Sequence, residues 1–359
     1  MKIIAIDLGK FKSVVCEMNC DSKEHEFETI STSPKVVRRL LEKRRPDRVV
    51  FEIGTQAGWV ADIAEELKMS YQVANTNHEI WQWNRTRCKT DRRDALKLAK
   101  LSMLDELPKV HIPHAAVRRR RALIHYRQVL VKRRTQIKNS IRALLDRQGI
   151  RMLAGRSGWS QEGCRWLRQE ARPLVEVNDL ELWRGQLWVE LDQFDSVSTQ
   201  LAQVTAKLDE LGKSNEQIQR LQTVAGVGPR LAEAVVAVLD DPHRFKTGKQ
   251  VGSYVGLTPR QFQSGQMDRQ GRISGKGNAL LRALLVEVSW LALRHNSWAQ
   301  EAYARVLRGD PSRKKVAIVA VARKLLVRCW AMLRDGKDWS PPPAKQRKPD
   351  RQSFFDRVA

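Results

Sequence analysis

Apolar and polar positions in the first 105 residues follow two periods, which predicts strands mixed with helices. Strands are predicted by the runs KIIAIDLG, KSVVCEMN, EHEFETIST, DRVVFEIG and SYQVANT. A period near 3.6 predicts helices at SPKVVRRLLEKR, with Ser33 as N-cap, and at AGWVADIAEELK. The predicted order is a meander of three strands followed by helix, strand, helix and strand.

This order is that of the RNase H-like fold, and sugar kinases and actin-like ATPases share it. In an RNase H-like sheet the first and fourth strands are neighbours, so residues at their ends lie side by side. Asp7 ends the first strand and Glu52 ends the fourth. Asp91 and Asp94 open a helix capped by Thr90 and project from one face of it. We therefore expect four carboxylates at one edge of the sheet.

Four converging carboxylates in a basic chain favour a bound hard cation. Magnesium prefers oxygen ligands, and two such ions about 4 Å apart suit in-line displacement at phosphorus. Each acid also has a simpler explanation on its own. Asp91 and Asp94 favour the positive end of a helix dipole, and Glu52 suits a solvent-facing position beyond a strand. The set as a whole predicts a site that cuts phosphodiesters.

A long helix is predicted over residues 115–149, ended by Gly149. Its apolar stripe is accompanied by eleven Lys or Arg and one acid between Arg118 and Arg147. This charge pattern predicts a surface that faces phosphates, although a basic solvated face without a ligand shows it too. The candidate phosphate-binding residues are Arg118, Arg119, Arg120, Arg121, Arg127, Lys132, Arg133, Arg134 and Lys138.

The leucine spacing in LDQFDSVSTQLAQVTAKLDELGK predicts a return helix that pairs with the basic helix as a coiled coil. The four Trp residues of the preceding segment are interpreted as core: Trp159, Trp166, Trp183 and Trp188. Further along, LQTVAGVGPRLAEAVVAVL matches a helix-hairpin-helix. Its Gly226 and Gly228 would let the backbone approach a phosphate.

The glycine-rich stretch YVGLTPRQFQSGQMDRQGRISGKGN is predicted to be a flexible loop. Ser264 lies in it beside Arg260, Arg272 and Lys276, which favour a bound phosphate. A serine hydroxyl there could attack a phosphodiester if its proton were removed. Chemistry alone leaves two alternatives to a nucleophilic Ser264. The serine could belong to an ordinary turn, or the neighbouring Ser274 could be the reactive hydroxyl.

The charge balance of 65 Lys and Arg against 40 Asp and Glu gives +25, which favours a nucleic-acid partner. The alternative is a ribosome-associated or merely basic soluble protein. Five scattered cysteines argue against a disulfide framework and a structural zinc site. The start MKIIAIDLGK is charged too early for a signal peptide, and no apolar run has transmembrane length. We expect a cytoplasmic protein without a membrane partner.

These motifs together resemble the DEDD transposases of the insertion sequence 110 family. The resemblance covers about residues 3 to 335. AIDLGK, FEIGTQAGW and KTDRRDALKLAKL are similar to the family's N-terminal carboxylate motifs. VAGVGPRLAEAVVA, FKTGKQVGSYVGLTPRQFQSG and GRISGKGNALLRALLVE are similar to its C-terminal motifs. The chain departs from relatives at Gln263 and at the Gly275–Lys276 pair, and residues 150–190 have no clear counterpart.

The resemblance implies a RuvC-type N-terminal domain and a separate C-terminal transposase domain. It implies that Asp7, Glu52, Asp91 and Asp94 bind Mg²⁺ and that Ser264 forms a covalent phosphoserine link to a DNA end. It also implies donor DNA, target DNA and an element-encoded noncoding guide RNA as partners. Finally, it implies a homo-oligomer, a dimer or tetramer, whose active sites combine domains of different subunits.

The resulting expectation is an α/β plus all-α protein that cuts and rejoins DNA of its own mobile element. Its expected domains are an RNase H-fold domain at 1–110, a basic coiled-coil region at 111–215, a transposase domain at 216–335 and a disordered basic tail at 336–359. The main competing hypothesis is a RuvC-like structure-specific endonuclease in which metal-activated water attacks. Two weaker hypotheses are an actin-like ATPase or sugar kinase and a nucleic-acid-binding module without catalysis.

Overall fold

The computed structural model describes residues 1–76, 78, 80, 90–152, 157–265 and 267–340. The chain divides into two compact units, Met1–Arg119 and Arg120–Ala359. The described part mixes α and β structure and is mostly helical, and none of its helices combines the length and apolarity of a membrane span. Cys88 and the predicted tail beyond residue 340 lie outside the described residues.

The N-terminal unit is built on a five-stranded sheet. Its strands are β1 (Lys2–Asp7), β2 (Lys12–Asn19), β3 (His25–Ser31), β4 (Arg48–Glu52) and β5 (Ser70–Ala74). The spatial order is β3-β2-β1-β4-β5. The first three strands form the predicted antiparallel meander, whereas β4 is parallel to β1 and to β5. The predicted adjacency of the first and fourth strands is confirmed.

Three helices of the described residues cover this sheet, α1 (Pro34–Arg44), α2 (Ala57–Glu66) and α3 (Asp91–Met103). The predicted N-caps are confirmed, since Ser33 accepts from the Val36 amide and Thr90 accepts from the Arg93 amide. One face of the sheet packs against α1 and α2 through a cluster that includes Ile4, Ile6 and Phe51. The other face packs against α3.

The predicted basic helix is α4 (Ala115–Arg147), and Gly149 ends it in the left-handed region at φ 69°. The Ile150 amide donates to the Leu145 carbonyl and the Gly149 amide to the Asp146 carbonyl, which satisfies the last turn. Burial of Ile124, Leu130, Ile137, Ile141 and Leu144 confirms most of the predicted apolar stripe.

The return helix is α6 (Leu182–Lys213), preceded by the short α5 (Gln161–Glu170). It runs antiparallel to α4, because Ser140 bonds Glu190 at 2.8 Å whereas Arg127 bonds Thr205 at 3.0 Å. Three of the four Trp residues pack against the core between these helices, as predicted. The prediction is wrong for Trp188, which is 46% exposed on the outer face of α6.

The C-terminal core is helical. Its helices are α7 (Glu216–Gln222), α8 (Pro229–Leu239), α9 (Gly248–Val255), α10 (Ala279–His295), α11 (Ser297–Leu307) and α12 (Lys314–Asp335). Residues of α8 and α12 dominate the buried cluster, and α8 is buried along most of its length. The Trp330 indole donates to the Pro242 carbonyl at 2.8 Å and fixes α12 to the segment after α8.

The predicted loop around Ser264 is wrong, because the structure has a hairpin there, β6 (Pro259–Ser264) and β7 (Met267–Ile273). The glycines suggested a loop, but Gly271 lies within a strand. A Cβ at Gly271 would lie 2.9 Å from Cε2 of Phe262, so the absent side chain makes room for the aromatic ring. This packing favours two paired strands over a flexible segment.

Candidate active site and nucleic-acid surface

Asp7 and Glu52 occupy equivalent places on neighbouring parallel strands. Ile6 pairs with Phe51, so Asp7 and Glu52 are the next residues at the carboxyl ends of β1 and β4. Side chains alternate along a strand, and Ala5 and Val50 both face α3. Asp7 and Glu52 therefore project toward the same face, and both are partly exposed.

The direction of α3 determines where the other two acids lie. Arg48, at the start of β4, donates to the Ser102 carbonyl near the end of α3 at 3.1 Å. Since α3 packs on β1 and β4, its first turn lies toward the strand ends that carry the first two acids. Asp94 lies one turn before buried Leu98 and so faces the sheet, whereas Asp91 is exposed.

The backbone thus brings all four predicted acids, Asp7, Glu52, Asp91 and Asp94, to one edge and one face of the sheet. Within the described ranges, no three His, Cys, Asp or Glu side chains are placed to hold one metal ion together. The donor set itself fits magnesium, because all four groups are carboxylates and two of them come from rigid strands.

Ser264 is the last residue of β6, pairs with Met267 across the turn and is exposed. Gly265 follows it at φ 56°, a conformation that suits the tight turn. Arg260 is also exposed on this hairpin and reaches the Ser274 carbonyl at 3.4 Å. The serine hydroxyl is therefore presented at a hairpin tip, and Arg272 and Lys276 are exposed farther along.

Four of the predicted phosphate-binding cations of α4 contact protein groups. Arg118 donates to the Pro113 and Gly58 carbonyls and pairs with Asp62. Arg121 donates to the Ala237 and Val238 carbonyls, and burial lowers its pKa. Arg127 donates to Thr205, and Lys138 lies 4.7 Å from the Trp159 ring centre.

The remaining cations of that prediction divide by exposure. Arg119, Lys132 and Arg133 are exposed, whereas Arg120 and Arg134 are half-buried. Exposed guanidinium and ammonium groups can approach a phosphate without giving up a contact to protein. The basic helix therefore has two classes of cation, those that contact protein groups and those that are exposed. The sequence does not distinguish them, because both occur between the apolar residues of the same helix.

The two glycines of the predicted hairpin turn differ in their surroundings. Gly226 has φ 95°, and a Cβ there would lie 3.1 Å from Cα of Ala292. Gly228 is the N-cap of α8, and a Cβ there would meet no atom within 4 Å. Gly228 itself has no side chain to accept from the amides at this helix start. Gly226 thus serves close packing, whereas Gly228 leaves a helix end open to an anion.

Sequence reasoning missed a buried carboxylate, Glu233 on α8. Its side chain pairs with Arg230 at 3.2 Å, and Arg230 also pairs with Asp209 of α6. Glu233 is 3% exposed, and burial raises its pKa to about 7 against the nearby positive charge of Arg230. An acid in the apolar run LAEAVVAVL was the available signal, since that run predicts a helix buried nearly all round.

Two family models match the chain. A model of DEDD transposases of the IS110 type matches residues 4–149, and one described as "Transposase IS116/IS110/IS902 family" matches residues 218–304. The first match contains the four acids, and the second contains the Gly226 turn and Ser264.

Curated relatives agree. The chain is 30% identical over 248 residues to a probable family 20 transposase of Pseudomonas aeruginosa, covering 68% of this chain and 72% of that one. It is 32% identical over 247 residues to the transposase for insertion sequence element IS1111A of Coxiella burnetii, covering 68% and 66%. The RuvC structure of Thermus thermophilus aligns with 31% of this chain and all of its own, at 16% identity and a TM-score of 0.22. The family models and the curated relatives together show that the chain belongs to the IS110 family of DEDD transposases.

Proposed function

We propose that this transposase cuts and rejoins DNA through the acidic edge of its N-terminal sheet and the Ser264 hydroxyl. The single observation that supports the proposal most is the alignment of Asp7 with Glu52 at the ends of two parallel strands, with the start of α3 at the same edge. An RNase H-like domain has this strand order, and its acids serve phosphodiester cleavage.

Mg²⁺ would be held by four carboxylates, those of Asp7, Glu52, Asp91 and Asp94. A set of four carboxylates is large enough to hold two ions. When bound, the ions would supply electrophilic stabilisation of the phosphate that is attacked. The chain's own contribution is to fix the acids. The sheet register sets Asp7 and Glu52, and the Thr90 cap fixes the first turn of α3.

Ser264 would act as nucleophile. Its Oγ forms a bond to phosphorus, the bond from phosphorus to one deoxyribose oxygen breaks, and that oxygen takes up a proton and leaves as a DNA hydroxyl. A hydroxyl of a second DNA end then loses its proton and forms a bond to the phosphorus of the phosphoserine. The bond from phosphorus to Oγ breaks and Oγ takes up a proton, so that the DNA is rejoined and the Ser264 hydroxyl is restored. The exposed position at a hairpin tip and the neighbouring Arg260 support this role.

The exposed cations of α4, Arg119, Lys132 and Arg133, would hold nucleic acid, in particular a noncoding guide RNA that pairs with donor and target DNA. The open start of α8 after Gly228 would bind a backbone phosphate in the manner of a helix-hairpin-helix. We further propose that the chain works as a homo-oligomer, a dimer or tetramer.

The acidic edge also suits a second function, a RuvC-like structure-specific endonuclease in which water replaces Ser264. The experiment that separates the two is a strand-transfer assay with the full chain, Mg²⁺, DNA carrying both element ends and the noncoding transcript that flanks the gene. We expect joined products from the wild type and none from Ser264→Ala. The matched control is Ser274→Ala, which alters the other serine near the hairpin and should join DNA normally. Cutting without joining by Ser264→Ala would favour the water mechanism.

A further inference from the structure

The segment before α6 exposes apolar side chains among acids. Between Pro173 and Leu182 the charged residues are all acidic, Glu176, Asp179 and Glu181. Val175 is 94% exposed and Leu180 is 89% exposed. Exposed aliphatic side chains in such a cluster indicate a surface that a partner covers.

This acidic-apolar segment (residues 173–182) is held firmly in place. A Cβ at Gly185 of α6 would lie 2.5 Å from Cδ1 of Leu174, so the segment packs directly on the helix backbone. The Arg184 guanidinium donates to the Glu170 carbonyl at 2.7 Å and pairs with its carboxylate at 2.9 Å. Two short 3₁₀ turns shape the rest. Val175 and Leu180 are therefore presented on an ordered backbone, which lowers the entropic cost of docking.

A groove of complementary character lies in the C-terminal core, between β7, α11 and α12, and encloses about 1480 Å³. We call it the basic-apolar groove. Its apolar lining includes Ile273, Trp298, Val316, Val319 and Val327. Its described lining residues include six Lys or Arg and a single acid, Glu301. Val316 is 58% exposed, so apolar surface is left open here too.

The geometry of α6 decides which copy of the chain can fill the groove. Leu208 lies 26 residues after Leu182 on this helix and packs against Ala237 in the C-terminal core. At 1.5 Å per residue this is about 39 Å. Because α6 is also packed along α4, it cannot fold back without losing that core. The segment is therefore kept at a distance from its own core and is free to meet another molecule.

From these two surfaces we infer that the acidic-apolar segment of one copy docks into the basic-apolar groove of a second copy. Val175 and Leu180 enter the apolar floor, and Glu176 and Asp179 face cations of the rim such as Arg305 and Lys315. The segment combines acids that have no base between them and highly exposed aliphatic side chains, which favours it as the occupant of a groove that is both cationic and apolar. The contact is heterologous, since two different patches meet, and it closes into a ring or continues as an open chain of copies.

The test is a charge exchange in the full chain, followed by sedimentation equilibrium in nucleic-acid-free buffer. One variant carries Glu176→Lys and Asp179→Lys, and the other carries Arg305→Glu and Lys315→Glu. We expect each variant alone to self-associate at least about tenfold more weakly than the wild type. An equimolar mixture should associate like the wild type, because each altered surface then meets an opposite charge.

The matched control is Glu24→Lys with Glu26→Lys. It raises the net charge as much as the Glu176→Lys, Asp179→Lys variant does, but at exposed positions of the N-terminal unit, and it should leave self-association unchanged. Circular dichroism verifies folding of every variant. Wild-type association by either single-surface variant, or a mixture no stronger than its components, would overturn the inference. So would a groove variant that loses only nucleic-acid binding, since the groove would then be a nucleic-acid site.

Discussion

Asp7 and Glu52 lie side by side at the ends of the parallel strands β1 and β4, one residue beyond the Ile6–Phe51 pair. A shift of the register by one residue would turn one of the two acids to the opposite face of the sheet. The buried side chains of Ile4, Ile6, Val49 and Phe51 on one face prevent such a shift. The acidic edge is thus determined by the hydrophobic pattern of the strands that carry it.

Asp91→Asn should abolish cutting while DNA and RNA binding persist. The change removes a carboxylate from the acidic edge but alters no exposed cation. We expect DNA cleavage to fall by about 100-fold or more, the size of effect seen when one charge-stabilising group is lost from an active site. The control is Asp105→Asn beyond the opposite end of α3, where the residue has φ 54° and Asn is well tolerated. Equal activity of the two variants would remove Asp91 from the site.

Arg118 and Arg119 are neighbours with different expected roles. Arg118→Met should lower the free energy of unfolding by about 3 kcal/mol, because Asp62 and two carbonyls lose a partly buried partner. Arg119→Met should leave stability within about 0.5 kcal/mol, because its side chain is exposed. It should instead reduce the dependence of RNA affinity on salt by about one unit of slope.

Urea unfolding and a salt titration of RNA binding measure the two effects. Identical behaviour of both variants would show that exposure does not separate structural cations from phosphate-binding cations on this helix.

Glu233 should make the stability of the C-terminal core depend on pH. Its pKa is about 7 in the folded chain and near 4.5 without burial, so the folded state retains a proton that the unfolded state releases. Burial of this acid therefore does not destabilise the fold below about pH 4.5. The destabilisation grows between about pH 4.5 and pH 7 and is constant at higher pH, where both states are ionised. A difference of 2.5 pKa units corresponds to about 3 kcal/mol at pH 8.

Glu233→Gln removes this titration and should flatten the fall in unfolding free energy between pH 5 and pH 8, measured by urea unfolding. If wild type and variant lose stability in parallel over that range, the buried acid is not the cause.

Gly226→Ala should destabilise the C-terminal core by about 2 kcal/mol. A side chain at φ 95° is strained, and its Cβ would press on the Ala292 backbone. Gly228→Ser should be neutral or stabilising, because this position is an open N-cap that a serine hydroxyl can fill. Thermal unfolding of both variants checks the difference. A harmless Gly226→Ala would mean that the turn does not need a glycine for packing.

The sequence predicts the N-terminal sheet well because each strand carries its own signal. Alternation and apolar runs determine β1 to β5, and the caps Ser33 and Thr90 determine two helix starts. The β6–β7 hairpin is not predictable in this way. Its glycines suggest a loop, and the contact that favours strands, Gly271 beneath Phe262, appears only once the two segments pair.

The candidate site also has a part that the sequence predicts and a part that it does not. The positions of the four acids can be predicted because each lies at an end of a strand or helix that the hydrophobic pattern predicts. The separation of Arg118, Arg121 and Arg127 from the exposed cations cannot, because it depends on carbonyls and hydroxyls that are distant in sequence. The exposure of Trp188 could not be predicted either, because a helical period does not indicate which of two neighbouring helix faces packs against the core.

The most direct test of the account is to identify the residue that becomes linked to DNA. The full chain is incubated with Mg²⁺, the noncoding transcript and DNA carrying the element ends, then denatured and digested. Mass spectrometry should find a nucleotide on the peptide that contains Ser264, and the adduct should be absent from Ser264→Ala and from Asp7→Asn. A nucleotide on Ser274 or any other residue, or cleaved DNA without any adduct, would contradict the proposed mechanism.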